Sequence, residues 1–251
     1  MQALINILKA FIEGLAEGCR DLYDWKREPR QKPAKLSDKS FTAYLGNSEW
    51  QQWFIKETTA QIFVVLVLLI LIREGIGEFR FIPSESMVPT MQIEDKLFVE
   101  KFSKLFQKQY QRGDIIIFYP PSEATKGEDV LKNDPFSVFC RLTGLPFLPQ
   151  PEAYIKRVIG LPGDKIRIVR HQGVFINNHL LDEPYHYGSL DFLPEYDMEE
   201  IEIPQGQYFV LGDNRNYSFD SHYWGTVPKN RIIGRAAFLI YRPLKLKPNL
   251  E

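Results

Sequence analysis

Tyr154-Ile-Lys-Arg-Val-Ile-Gly-Leu-Pro-Gly-Asp-Lys-Ile-Arg-Ile-Val169 holds two short β-prone runs, Tyr154–Ile159 and Lys165–Val169, separated by a Pro-Gly-Asp turn. β-Branched and aromatic residues suit a pleated, half-buried surface, while glycine and proline mark where the chain reverses. The same texture extends outward through Lys96–Glu100, Asp114–Tyr119, Gly173–Ile176, Ile201–Ile203, Tyr208–Leu211 and Arg231–Tyr241, with Gly-Asp and Asn-Asn turns between them. Many short strands without alternating helices predict a mainly β body, an all-β domain of sandwich or partly closed barrel type. Seventeen prolines and 14% aromatic residues agree with strands and loops rather than a helical bundle. No internal repeat is visible. Residues 122–153 interrupt the pattern as an insertion, polar first and then apolar through Phe136, Phe139, Leu145, Phe147 and Leu148. Its apolar half either packs on the body or touches lipid.

Upstream, Ile62–Ile72 is an unbroken apolar run. As helix it rises only about 17 Å, short of a hydrocarbon core of roughly 30 Å. Its flanks lengthen it. From Trp53 to Ile72 there are twenty residues, with Trp50 and Trp53 where an aromatic belt would lie and Lys56 and Arg73 able to snorkel. These features predict one N-terminal transmembrane helix, an anchor over residues 53–78. The β-rich domain then occupies 79–251, and 1–52 form an N-terminal segment. In that segment Leu4, Leu8, Phe11, Ile12, Leu15 and Cys19 recur at helical spacing. Such a helix either lies on a membrane surface or docks on its own protein. Residues 24–49, with Pro29 and Pro33, read as a linker. Its basic stretch from Lys26 to Lys39 favours an N-terminus in the cytoplasm and the large domain outside it.

Several functional classes are disfavoured. A net charge of −1 offers no basic excess for nucleic acid. Two cysteines, Cys19 and Cys140, exclude a disulfide framework and a thiolate-built zinc site. His171, His179 and His186 are spaced unlike helical metal ligands, and neither a Gly-x-Ser-x-Gly turn nor a phosphate-cradling glycine loop occurs. We therefore expect no metal, no cofactor and no nucleic-acid partner.

Serine can also be activated by lysine. The segment Ile82-Pro-Ser-Glu-Ser-Met-Val-Pro-Thr-Met91 places Ser84 and Ser86 in a stretch stiffened by two prolines. A free lysine, with a pKa near 10.4, is neutral in only about one molecule in 2500 at pH 7. Acting as a base therefore requires burial among apolar groups or a neighbouring cation. Lys156 meets that description: Ile155, Val158 and Ile159 surround it in sequence and Arg157 follows it. In a strand the two basic residues would leave on opposite faces.

Taken in order, Pro83-Ser-Glu-Ser-Met-Val-Pro-Thr-Met91, Gly113-Asp114, Tyr154 to Asp164, and Gly212-Asp-Asn-Arg215 with Ser218, Asp220, Ser221, Trp224 and Gly225 resemble the boxes of type I signal peptidases. These are membrane-anchored serine–lysine endopeptidases that remove signal peptides from exported preproteins. The resemblance spans most of residues 53–242. It implies Ser86 as nucleophile and Lys156 as general base. Ser84 would form the oxyanion hole with the Ser86 N–H, and Ser218 would orient the lysine. Asp213 and Asp220 would be structural acids, Asp213 pairing with Arg157. Ile82, Pro83, Met87, Met91, Tyr154 and Ile155 would wall the small pockets that accept Ala-x-Ala. The implied partners are preprotein signal peptides and the lipid bilayer. The implied location is the cell membrane, with an internal thylakoid membrane as the alternative. Glu85 stands where glycine is common, and Asn216, Tyr217 and His222 stand where Asp, Asn and Arg are more usual. A soluble self-cleaving repressor-like protease of the same chemistry, or an inactive tethered binding module, are the rival readings.

Overall fold

The computed structural model describes residues 12–17, 19–20, 48–145, 147–186 and 193–241. The chain divides between Ile72 and Arg73 into two units. In the first, the long helix α1 begins; it runs Ser48–Gly75, with Glu49 in its first turn and Arg73 in its last, complementing the helix dipole. Twenty-eight residues at 1.5 Å each give about 42 Å, enough to cross a bilayer. Ile62, Val65, Leu68 and Leu71 are exposed along it, as side chains facing lipid would be. The helix starts earlier and ends sooner than the expected 53–78, because Gly77 already opens a strand. Residues 12–17 are helical, and Glu13 pairs with Lys56 at 2.6 Å while Gly14 allows close approach to the Lys56 carbonyl. Lys56, expected to snorkel, is thus ion-paired within the chain. Residues 21–47, with most of the expected linker and its basic stretch, lie outside the described residues.

In the second unit the described residues form eleven strands in two antiparallel sheets. They are β1 (Gly77–Phe81), β2 (Lys96–Glu100), β3 (Ile115–Phe118), β4 (Tyr154–Gly160), β5 (Lys165–Val169), β6 (Gly173–Ile176), β7 (His179–Leu180), β8 (Met198–Glu202), β9 (Gln207–Leu211), β10 (Val227–Pro228) and β11 (Ile232–Tyr241). The larger sheet has the order β1-β2-β11-β3-β4-β9-β10 and the smaller the order β7-β6-β5-β8. Bulges in the β11, β4 and β5 pairings bend the sheets, as closing a curled β body requires. The mainly β architecture expected from the runs is therefore the one observed.

Turn chemistry explains the local reversals. Asn177 and Asn178 both take positive φ, 49° and 67°, as a two-residue hairpin turn demands, and join β6 to β7. Gly163 takes φ 86° between β4 and β5, and the Asp164 carboxylate ties the turn by accepting from Leu161 N–H at 2.8 Å. In the insertion, α2 (Pro135–Thr143) is capped by Asp134, which accepts from Ser137 N–H at 2.9 Å, and stopped by Gly144 at φ 60°. Cys140 of this helix is buried, whereas Phe136, Phe139 and the following Phe147 are exposed.

Both faces of the larger sheet are covered near β3 and β4. Ile116, Phe118 and Val158 join Tyr208 and Trp224 in one cluster; Ile117 and Ile155 join Ile82, Met87 and Met91 in another. A third cluster, built on Ile159, Ile166, Ile168 and Phe209, fills the smaller sheet. Any polar side chain on β4 is thereby buried whichever way it points.

Candidate active site

Ser86 lies in a single 3-10 turn, Glu85–Met87, entered through an extended Ser84 (φ −138°, ψ 164°). Met87 is buried, which anchors the turn to the core. The chain after β9 holds the turn from the other side: Asn214 N–H donates to the Ser86 carbonyl at 3.1 Å, and the Asn214 side chain reaches the Glu85 carbonyl at 3.3 Å. Thr90 donates to Asp213 at 2.6 Å. The stiffness expected from two prolines is thus completed by a segment more than a hundred residues away.

β4 supplies the partner. Its register, Ile116 opposite Lys156, sets the lysine beside the serine turn. Lys156 Nζ donates to Ser86 Oγ at 2.7 Å, and Ser84 Oγ stands 3.2 Å from Ser86 Oγ. The lysine is only 5% exposed. Burial lowers its pKa to about 8 against the opposing pull of Asp220 and then Asp213. Arg157, one residue on, turns to Asp213 in a two-pronged pair (2.7 and 2.5 Å) and donates to the Gly113 carbonyl at 2.9 Å.

Asp220 is fully buried and fixes the turn after β9, accepting from Gly212 N–H at 2.8 Å. His222 Nδ1 lies 2.7 Å from the other Asp220 oxygen and stacks on Tyr196. Behind this turn Arg215, 1% exposed, pairs with Glu183. Ser218 is buried beside Gly212, and its hydroxyl has no hydrogen-bond partner. The expected support from Ser218 to Lys156 is not made in this arrangement.

An open cleft runs over the serine and lysine. Ile82, Pro83, Met87, Tyr154 and Ile155 line it, together with Glu152, Ala153, Tyr217 and Phe219. Met91 packs with the cleft residues Ile82, Met87 and Ile155 in one core cluster and also borders a depression beside Gly113 and Arg235. Ser218 is extended, so Tyr217 and Phe219 on either side of it point away from the side it takes. One edge of β4 pairs with β3 from Tyr154 to Arg157, whereas β9 joins the other edge only from Arg157 onward. Among the described residues, Tyr154–Lys156 therefore offers the cleft a strand edge without a strand partner.

Residues 55–241 match the family described as signal peptidase, peptidase S26. The chain belongs to the signal peptidase family. It is 42% identical over 171 residues to a probable signal peptidase I-2 of Synechocystis sp., covering 68% of this chain and 66% of that relative. A signal peptidase I of Leptolyngbya laminosa is likewise 42% identical over 171 residues, 68% of this chain and 72% of the relative. Thylakoidal processing peptidase 1 of Arabidopsis thaliana is 33% identical over 211 residues, 82% of this chain and 55% of the relative. The chain thus spans about two thirds of the first relative and about half of the last. The enzyme is a hydrolase of the signal peptidase I type, and its relatives include cyanobacterial and thylakoid proteins.

Proposed function

We propose that the enzyme removes N-terminal signal peptides from exported preproteins, cleaving after Ala-x-Ala-like sites, with Ser86 as nucleophile and Lys156 as general base. The observation that carries this reading is the 2.7 Å hydrogen bond from a buried lysine to the serine hydroxyl. With a pKa of about 8, roughly one lysine in ten is neutral at pH 7, against about one in 2500 unperturbed. The neutral amine accepts the Ser86 proton as Oγ attacks the carbonyl carbon before the scissile bond. The tetrahedral oxyanion then receives hydrogen bonds from Ser86 N–H and, after rotation, from Ser84 Oγ. Each such donor is typically worth roughly 2.7–4 kcal/mol in the transition state. Collapse breaks the C–N bond, and the lysine returns the proton to the leaving amine. In the second half, Lys156 takes a proton from water, which hydrolyses the acyl ester and restores the serine.

Ser218 has a different role. A buried hydroxyl without a partner costs roughly 1–3 kcal/mol, and the ammonium formed during acylation offers it a bond. Its part is to steady the lysine through the proton transfers. Substrate binding follows from the free β4 edge. An extended signal-peptide end adds there as a strand, and its alternate side chains enter the space walled by Ile82, Met87, Tyr154 and Ile155. Large residues are refused there by size.

The bilayer is the second partner. Besides the exposed face of α1, Phe79, Phe81 and Phe238 are exposed on the β-rich domain, an apolar surface suited to a membrane. The domain over 79–251 works on the extracytoplasmic side with residues 1–52 in the cytoplasm, in the plasma membrane or, as the thylakoid relatives suggest, facing a thylakoid lumen.

The test is cleavage of a preprotein with an Ala-x-Ala site by the full chain, by Ser86→Ala and by Lys156→Ala, with protease access to residues beyond 80 in sealed vesicles reporting topology. Loss of cleavage in both variants is expected. Undiminished cleavage by either sinks the dyad, and binding without cleavage by the wild type favours an inactive module.

A further inference from the structure

Tyr217 and Phe219 stand out in this site. Both are large aromatics beside a buried serine and lysine, yet Tyr217 is 79% exposed and Phe219 is 49% exposed. Both line the cleft above Ser86 and Lys156. They are firmly held. Between them Ser218 is buried in extended backbone, Phe219 packs on Tyr223 at 5.3 Å, and Tyr217 N–H donates to the Asn214 carbonyl at 3.2 Å. Asn216 anchors the same turn by donating to the Leu193 carbonyl and accepting from Glu195 N–H, both at 2.9 Å. A rigid, exposed aromatic pair at a reaction centre is a ready contact surface.

Strand pairing says which part of the substrate meets it. The β4 edge is open along Tyr154–Lys156 and closed by β9 from Arg157. A signal-peptide end lying beside Tyr154 and Ile155 with its last carbonyl at Ser86 must run parallel to β4. The residue beyond the scissile bond then reaches the point where β9 occupies the edge, and the chain has to leave the sheet. The 217–219 segment, which begins six residues after β9 ends beside Arg157, lines the cleft and offers a wall at that point.

We propose that Tyr217 and Phe219 form the subsite for the first residue of the mature protein and select an apolar or aromatic side chain at that position. This rests on the proposed cleavage reaction and adds a specificity on the leaving-group side to it. An apolar side chain laid on two aromatic faces gains burial that an acidic side chain forfeits through desolvation.

The test uses the full chain in detergent micelles with peptides that share one Ala-x-Ala signal end and differ only in the next residue: Leu, Phe, Gly or Asp. For the wild type, kcat/KM should favour Leu and Phe over Asp by about tenfold, the scale of one well-placed aromatic contact. Combining Tyr217→Asn with Phe219→Ala should bring that ratio close to one, mainly through KM, while the demand for Ala on the signal side persists. Tyr217→Phe should retain the wild-type ratio, separating ring contact from a loss of folding. A wild type without the preference, or a double variant that keeps it, overturns the proposal. So does a double variant whose signal-side demand for Ala changes instead, since the pair would then wall the signal side. If no Ala-x-Ala peptide is cleaved by the wild type, the cleavage reading itself fails, a result distinct from the others.

Discussion

Lys156 Nζ and Ser86 Oγ are 2.7 Å apart although 70 residues separate them in sequence. The lysine reaches the serine from a strand buried on both faces, so their meeting fixes both its reactivity and its energetic cost.

The reactivity is visible as a pH dependence. Burial lowers the Lys156 pKa to about 8, and Asp220 is the larger of two carboxylates opposing the shift. The rate requires the neutral amine, so kcat/KM should rise with pH and level off above an inflection near 8. Asp220→Asn removes a charge that favours the ammonium and should move the inflection to lower pH. An inflection near 10 in the wild type would contradict a desolvated base.

The energetic cost is visible as stability. A lysine whose pKa is lower in the folded state binds fewer protons folded than unfolded. The fold therefore bears the full penalty below about pH 8 and escapes it as pH rises toward the unfolded value of 10.5. The displacement corresponds to about 3 kcal/mol. Lys156→Met should raise the melting temperature at pH 7, abolish cleavage, and flatten the rise in stability between pH 8 and 10. Chemical denaturation at pH 7 and pH 9.5 compares the two proteins directly; a destabilised Met variant would argue against it.

Arg157 and Asp213 behave oppositely. Both are buried and satisfied by each other, with Thr90 and the Gly113 carbonyl completing the set. Removing one partner leaves the other charge stranded, so Arg157→Ala or Asp213→Ala should cost about 3–5 kcal/mol. A double-mutant cycle should show coupling above about 1 kcal/mol, whereas additive single effects would mean the pair does not act as a unit.

Gly212 is the tightest point between the two halves of the site. A Cβ there would collide with Ser218 Oγ and the Ser86 carbonyl. Gly212→Ala should push the nucleophile turn away from the lysine and lower kcat by about 100-fold, as a roughly 1 Å misplacement does. Crystallography of the variant would show the displaced Ser86; an unmoved dyad with full activity would remove Gly212 from this role.

Much of the domain could be read in advance. The runs Lys96–Glu100, Lys165–Val169 and Gly173–Ile176 are strands over those same residues, because their β-branched pattern and turn signals are local properties. β1 was hidden, since Gly77–Phe81 follows the apolar helix and becomes a strand only through pairing with β2. The short β7 and β10 likewise depend on partners rather than composition. The site divides similarly. Ser86 and Lys156 were legible as residue types in suggestive surroundings, whereas the place of Tyr217 and Phe219 in the cleft is visible only in the folded chain.

By itself the sequence determined the elements that arise from neighbours along the chain: an apolar helix, short alternating strands, glycine and asparagine turns, and a serine held between prolines. The tertiary structure decided the rest. Insertion of β11 between β2 and β3, the bulges that curl the sheet, and the segment after β9 holding Ser86 are contacts between distant residues. Burial exists only in that assembled state, and burial is what turns Lys156 from an ordinary surface-type cation into a base.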